Sequence, residues 1–115
     1  MTFDDYQQSA ARTINPALTE RERLLDAGAG LAEEAAEVLG LIRKHVFQAR
    51  ELDSARVAEE LGDVLWCLAV TARQLGLPLS AIAAGNEAKL RQRHPNGFAQ
   101  SGERESGQPA PAAPT

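Results

Sequence analysis

The chain has 115 residues, a net charge of −4 and a sequence pI near 5.1, values that do not fit a protein binding nucleic acid through a basic face. Its one cysteine, Cys67, excludes an intrachain disulfide framework and fits a reducing compartment. No apolar run reaches the roughly 20 residues that span a membrane, and the N-terminal residues do not resemble a signal peptide. We therefore expect a cytoplasmic protein with neither a nucleic-acid polymer nor a membrane as its partner.

Two parts of the chain differ in composition. Residues 99–115 read AQSGERESGQPAPAAPT, which has no hydrophobic period and is rich in Pro, Gly, Ser and Gln. Such a segment buries too little apolar surface to offset the entropy lost on ordering, so a disordered tail is predicted. Residues 1–98 are predicted to form one domain. A domain of this size has a thin core, which oligomerisation commonly compensates.

Every long hydrophobic pattern in residues 1–98 has the period of a helix, and none alternates over the length of a strand. The first helix is predicted from about Thr2, its N-cap, to Ile14, just before the Asn-Pro pair at 15–16. The second starts near Thr19, which begins a capping box, and ends near Phe47 or Arg50.

Two further helices complete the prediction. The third begins at Asp53 or Ser54 and ends at Leu75, followed by Gly76 as the residue that closes the helix. The fourth is capped by Ser80 and ends near the His-Pro pair at 94–95. The predicted fold class is all-α, a four-helix, antiparallel, bundle-like protomer, because the connections are short.

The second helix carries acidic residues on its apolar side. At about 100° per residue, Glu34 falls between Val38 and Leu41 on the helical wheel, and Glu37 lies at the border of the apolar stripe. Glu33 lies towards the polar side. A carboxylate inside an apolar stripe requires an explanation, because charged groups are rarely buried without partners.

The third helix repeats this arrangement with Glu60 and Asp63, and Asp63 falls between Val70 and Cys67. Cys67 itself fits a small buried hydrophobic residue. If the two helices pack as a hairpin, four carboxylates converge, and each like-charge pair costs roughly 3 kcal/mol at about 5 Å and an effective dielectric near 20. Protonation, a ring of Arg and Lys, or a metal would each offset that cost, and a solvated acidic face is the simplest alternative. All-oxygen ligands suit Mg²⁺, with Mn²⁺ as a substitute, and Mg²⁺ sites usually recruit substrate phosphates.

The fourth helix carries polar and basic residues in one stripe. Asn86, Lys89 and Arg93 share a face and could hold a polyphosphate, although basic residues in a last turn also complement the helix dipole. Lys44, at the end of the second helix, allows the same two interpretations. Trp66 lies away from the main apolar stripe of its helix, where it could stack on a nucleobase or fill a core or subunit interface.

These residues together resemble the MazG-like all-α nucleoside triphosphate pyrophosphohydrolase family. The family pattern reads E-E-x-x-E, E-x-x-D, N-x-x-K and a closing Arg-x-Pro region. This chain reads EEAAE at 33–37, ELGD at 60–63, NEAK at 86–89 and RHPNGF at 93–98. The resemblance covers about residues 3 to 98.

The resemblance implies a fold, an activity and roles for particular residues. It implies Mg²⁺-dependent hydrolysis of a nucleoside triphosphate to the monophosphate and pyrophosphate, in nucleotide-pool housekeeping, by a homodimer or homotetramer. Its implied metal ligands are Glu34, Glu37, Glu60 and Asp63. Its implied phosphate contacts are Asn86, Lys89 and Arg93, and Glu33 is the candidate for orienting or deprotonating the attacking water.

Two other functions stay open from the sequence. Phosphoribosyl-ATP pyrophosphohydrolase, an enzyme of histidine synthesis, shares the architecture and similar acidic pairs. A non-enzymatic helical interaction module would instead leave its melting temperature unchanged by Mg²⁺ or nucleotide.

Overall fold

A computed structural model describes residues 1–98, and the predicted tail at 99–115 lies outside the described residues. Four helices form this part of the chain, which confirms the predicted all-α class: α1 (Phe3–Ala11), α2 (Glu20–Gln48), α3 (Ser54–Gln74) and α4 (Leu79–Arg93). Residues 1–79 form one compact unit, and the described residues from 80 to 98 belong to a second. Within residues 1–98 no single helix is long and apolar enough to cross a membrane, and only α3 and α4 counted as a pair would meet the length and composition required.

Helix α1 begins as predicted and ends early. The Thr2 hydroxyl accepts the Asp5 backbone N–H, and the Asp5 carboxylate accepts the Thr2 N–H in return. The predicted end at Ile14 is wrong, because the helix ends at Ala11. After that residue the backbone tightens into a turn, in which both the N–H and the hydroxyl of Thr13 donate to the carbonyl of Ala10.

Helix α2 has the predicted capping box at Thr19. The Glu22 carboxylate accepts the Thr19 N–H at 2.8 Å, and this bond lowers the pKa of Glu22. The helix ends at Gln48, inside the predicted range, where Ala49 takes a left-handed conformation with φ 51°.

Helix α3 also has the predicted caps. The Asp53 carboxylate accepts the Arg56 N–H at its start. At its end Gly76 has φ 71°, its N–H donates to Arg73, and the Leu77 N–H donates to the Ala72 carbonyl. This pair of bonds is a Schellman motif, and glycine suits it because the left-handed conformation is free of strain there.

The predicted cap of α4 is wrong. The helix begins at Leu79, so Ser80 lies inside its first turn. The Leu79 N–H donates to the side-chain oxygen of Gln7 at 3.0 Å. A residue of α1 therefore accepts the first backbone N–H of α4. No local sequence signal predicts a partner so distant along the chain.

Gln7 ties α1 to the end of α3. It is 7% exposed, and its side-chain amide donates to the carbonyls of Ala69 at 3.1 Å and Leu77 at 3.0 Å. With the bond from Leu79, one amide makes three hydrogen bonds to backbone groups. The core beside it is built from small side chains, and Val70 is the largest fully buried one among the described residues.

Helices α2 and α3 form an antiparallel hairpin. The Gln74 amide, at the end of α3, reaches the carbonyl of Glu20, at the start of α2, at 3.5 Å. Midway along the hairpin the helices meet at Gly30, where an added Cβ would lie 2.9 Å from the Cys67 sulfur. Gly30 therefore permits a close approach of the two helices.

Substituting Gly30 by alanine should destabilise the protein, because the new methyl group must displace the buried Cys67 sulfur. Overpacking of this kind typically costs about 1–3 kcal/mol. Gly28→Ala is the matched control: its Cβ meets nothing within 4 Å, so it should stabilise the helix by roughly 0.5–1 kcal/mol. Urea unfolding measures both, and equal stabilisation by the two substitutions would show that the contact is absent. Cys67→Ala should restore stability in the Gly30→Ala background.

Candidate metal centre

Three carboxylates from the hairpin converge on one point. One oxygen each from Glu34, Glu60 and Asp63 lies within 4.8 Å of the other two. Glu34 comes from α2, and the other two come from successive turns of α3. The convergence predicted for these three residues is therefore observed, and they form a group that could hold a metal ion.

The close approach at Gly30 accounts for this convergence. Gly30 lies one turn before Glu34, and its contact Cys67 lies one turn after Asp63. Because the helices nearly touch there, side chains one turn further along need to extend only a short way to meet. The acidic motifs predict which residues could bind a metal, and Gly30 sets the distance between the two helices that carry them.

The charges in this cluster are unbalanced. The pKa of Glu34 is raised, chiefly because its protonated carboxyl donates a hydrogen bond to Glu60, and also because of burial and the negative charges of Asp63, Glu60 and Glu37. Among residues 1–98 the ion pair found joins Arg91 to Glu87 on α4, so no described Arg or Lys neutralises the cluster within 4.0 Å. Of the explanations open from the sequence, protonation, a metal and solvation of the exposed edge therefore remain.

The donor set fits a hard divalent cation. All three groups are carboxylates, they are drawn from a rigid helical pair, and two of them are half-buried while Asp63 is exposed. An exposed edge suits Mg²⁺, because this ion usually keeps several water ligands and binds substrate phosphates as well as one or two protein carboxylates. A cation there would remove the repulsion that now raises the pKa of Glu34.

Two predicted carboxylates lie beside this cluster. Glu37 is exposed and outside the group of three, although its charge contributes to the raised pKa of Glu34. Glu33 is also exposed, on the neighbouring face of α2. The roles predicted for them, as fourth metal ligand and as the residue that orients water, stay predictions.

Tyr6 and Cys67 border the cluster on its inner side. Burial, Asp63 and Cys67 raise the pKa of Tyr6, and burial followed by Glu34 and Asp63 raises the pKa of Cys67. Both groups therefore stay neutral beside the carboxylates. Cys67 is 6% exposed, as expected of a small buried residue, whereas the position of Tyr6 depends on the packing of α1 and had no signal in the spacing of the motifs.

Trp66 is half-buried. It packs against the core cluster of Ala10, Ala27 and Val70, and its indole N–H donates to the Thr13 hydroxyl at 2.7 Å. The structure therefore gives Trp66 a part in the core of residues 1–79, and its stacking on a nucleobase stays a prediction.

Lys44 is exposed near the end of α2. Its backbone carbonyl accepts the N–H groups of Ala49 and Arg50. The adjacent His45 donates from Nδ1 to the Arg50 carbonyl at 2.7 Å in the matching tautomer. This end of the helix is closed by its own residues, and phosphate binding by Lys44 stays a prediction.

The predicted phosphate contacts lie on α4. Asn86 and Lys89 are exposed, and Arg93 is half-buried. Arg91 pairs with Glu87 at 3.2 Å and has a side chain that is 77% exposed. The three contacts are therefore distinct from the solvent-facing ion pair of the same helix.

A family model provides the deciding comparison. Residues 23–98 match the MazG nucleotide pyrophosphohydrolase domain, which is more than half of the chain. The chain belongs to the MazG nucleotide pyrophosphohydrolase family. It is accordingly a hydrolase acting on phosphoric anhydrides.

The matched span contains every predicted site residue of this MazG protein, and α1 lies outside it. The comparisons with curated proteins and with solved structures gave no match. Gln7 and Tyr6, which contact α3 from α1, lie outside the matched span. Their contacts with the domain are therefore known from the structure and not from the family comparison.

The stability of the metal-free MazG protein should depend on pH through Glu34. The pKa of Glu34 is raised above the ordinary 4.5, so in the window that begins near that value the folded state holds a proton that the unfolded state releases. The free energy of unfolding therefore falls as pH rises through this window. Urea unfolding with a chelator should show this fall, and Glu34→Gln should reduce it. Glu33→Gln is the control, and parallel profiles for the wild type and Glu34→Gln would refute the prediction.

Proposed function

We propose that this MazG protein hydrolyses a nucleoside triphosphate to the monophosphate and pyrophosphate, with Mg²⁺ as its cation and Mn²⁺ as a substitute. The observation that carries the proposal is the group of Glu34, Glu60 and Asp63, which lacks a described cationic partner. In a family that acts on nucleotides, a divalent cation would supply the missing positive charge and would also bind the substrate phosphates.

In this proposal Glu34, Glu60 and Asp63 hold the cation, and Glu37 completes the ligand set from the same face of α2. When bound, the cation supplies positive charge that stabilises negative charge on the departing pyrophosphate. The carboxylates act by position, because a rigid hairpin keeps them in place before substrate arrives.

The remaining residues act on substrate and water. Lys89 and Arg93 bind phosphate oxygens, Asn86 contributes its amide, and Lys44 is a further phosphate contact. Glu33 orients or deprotonates the water that attacks in line, and Trp66 stacks on the nucleobase. Attack at the α-phosphorus gives the stated products directly.

We also propose that the active form is a cytoplasmic homodimer or homotetramer. Leu61 and Leu68 on α3 and Leu75 at its C-cap are spaced seven residues apart, and they are 52%, 37% and 56% exposed. On α2, Leu39 and Val46 have the same spacing and are 55% and 61% exposed. Stripes of this kind suit a second copy of the chain, and light scattering measures the assembly.

A panel of nucleoside triphosphates with Mg²⁺, scored for pyrophosphate release, tests the activity and finds the preferred base and sugar. In parallel, the melting temperature should rise with Mg²⁺ and rise further with a non-hydrolysable triphosphate. A protein that releases no pyrophosphate from any member of the panel, and whose melting temperature ignores both ligands, would not be the proposed enzyme.

A further inference from the structure

A concave site lies at the end of the α2–α3 hairpin where α2 begins and α3 finishes. It is a cavity of about 660 Å³, lined by the end of α1, the following turn, the start of α2 and the end of α3. Its lining residues are Ala11, Arg12, Ile14, Pro16, Glu20, Arg23, Arg73 and Gln74. All of them belong to the unit formed by residues 1–79.

This cavity is strongly basic in a protein that is acidic as a whole. Arg12, Arg23 and Arg73 face it, against the single carboxylate of Glu20. None of the three guanidinium groups makes an ion pair within 4.0 Å with any described carboxylate. Three guanidinium groups without a described counter-ion around one cavity repel one another, and an anion between them would relieve that repulsion.

Arg23 is held in the wall of the cavity. Its Nη2 donates to the Pro16 carbonyl at 3.2 Å, and its Nε is shielded from solvent with no acceptor among the described residues. Buried donors without acceptors are rare and costly in native proteins. The guanidinium is therefore oriented by the fold, and among residues 1–98 no carboxylate lies within 4.0 Å of it.

The cavity is separate from the acidic cluster. Arg73 lies ten residues after Asp63 on α3, and at about 1.5 Å per residue the two Cα atoms are roughly 15 Å apart. A ligand in the cavity would therefore leave the carboxylates free.

We propose that this cavity binds the phosphate monoester of a small organic molecule, at a site distinct from the metal centre. Guanidinium groups match phosphate oxygens in geometry and charge. Ala11, Ile14 and Pro16 give the cavity an apolar wall for the organic part of the ligand. Its volume lies in the usual range of small-molecule sites, roughly 300–1,000 Å³.

Isothermal titration calorimetry on the full chain, with a chelator in place of divalent metal, tests this site with adenosine monophosphate as the probe. We expect Arg73→Gln and Arg12→Gln to weaken binding by at least about tenfold each, since each removes a charge-assisted contact. Arg56→Gln and Arg21→Gln are the matched controls, because these exposed arginines lie on α3 and α2 outside the cavity. Both should bind like the wild type.

Three further arms decide the location and the ligand class. The Glu34→Gln, Glu60→Gln double variant should bind the probe unchanged; loss of binding there would place the ligand at the acidic cluster and overturn the proposal. Inorganic phosphate and adenosine should each bind more weakly than the monophosphate. The proposal would also be overturned if the cavity and control substitutions weakened probe binding equally, or if the wild type showed no detectable binding. Either result would count against the cavity site whatever the outcome for triphosphate hydrolysis.

Discussion

Glu60→Gln should abolish nucleotide hydrolysis while the helices remain. Glu60 is the residue that both accepts a hydrogen bond from Glu34 and belongs to the group of three carboxylates. The amide keeps the shape of the side chain and removes its charge, so the proposed cation loses a ligand. Loss of an outer-shell partner typically costs 10–100-fold in metal affinity or activity, and loss of a direct ligand should exceed about 100-fold.

The same substitution should leave the metal-free protein at least as stable as the wild type. Removing the Glu60 charge relieves the repulsion that raises the pKa of Glu34. Circular dichroism melts with a chelator measure this, beside pyrophosphate release with Mg²⁺.

Glu59→Gln is the control for this prediction, because Glu59 is the exposed neighbouring carboxylate and lies outside the group of three. It should keep near wild-type turnover. Full activity in Glu60→Gln would remove Glu60 from the site, and loss of activity together with a collapsed melting temperature would mean that the residue serves the fold.

The sequence predicts the helices well because their signals are local. Capping boxes, an aspartate cap and a glycine that closes α3 each act within one turn, and each is observed at Thr19, Asp53 or Gly76. The two errors concern the ends of elements. Helix α1 stops before Ile14 because a local turn replaces its last residues, and α4 starts at Leu79 because Gln7, far away in sequence, satisfies its first N–H.

In the candidate site, too, the sequence predicts what depends on local periodicity and misses what depends on tertiary packing. A period of about 3.6 residues places Glu34, Glu60 and Asp63 on inward faces, which is sufficient to predict that they meet. It does not predict that Glu37 stays outside the closest group, since that depends on the separation of the helices at Gly30. The basic cavity is invisible to motif spacing, because its arginines come from three helical segments that only the tertiary fold brings together.

These observations give the hairpin two regions of opposite charge. The region midway along α2 gathers carboxylates that lack a described cation, and the end where α2 begins and α3 finishes gathers guanidinium groups that lack a described anion. Between them the helices touch at Gly30 and Cys67, and α1 packs alongside through Gln7. The packing at this contact therefore controls how well either region is preorganised.

Gln7→Met should strongly destabilise the protein while leaving every proposed site residue intact. Methionine keeps the length of the side chain but removes the three hydrogen bonds to Ala69, Leu77 and Leu79. At about 1–3 kcal/mol for each buried group left without a partner, we expect a loss of about 3 kcal/mol. This is a large share of the roughly 5–15 kcal/mol that stabilises a domain. In a domain of this size it lowers the melting temperature by more than about 10 °C.

Gln8→Met, the same substitution at the next and exposed residue, should change stability by less than about 0.5 kcal/mol. Urea unfolding of both variants, with a chelator and again with Mg²⁺, separates the effect on the fold from any effect on the metal centre. Because the Leu79 N–H opens α4, hydrogen exchange at that amide should accelerate in Gln7→Met well beyond the amides of α2. Unchanged exchange at Leu79 would mean that Gln7 does not secure the start of the helix carrying Asn86, Lys89 and Arg93.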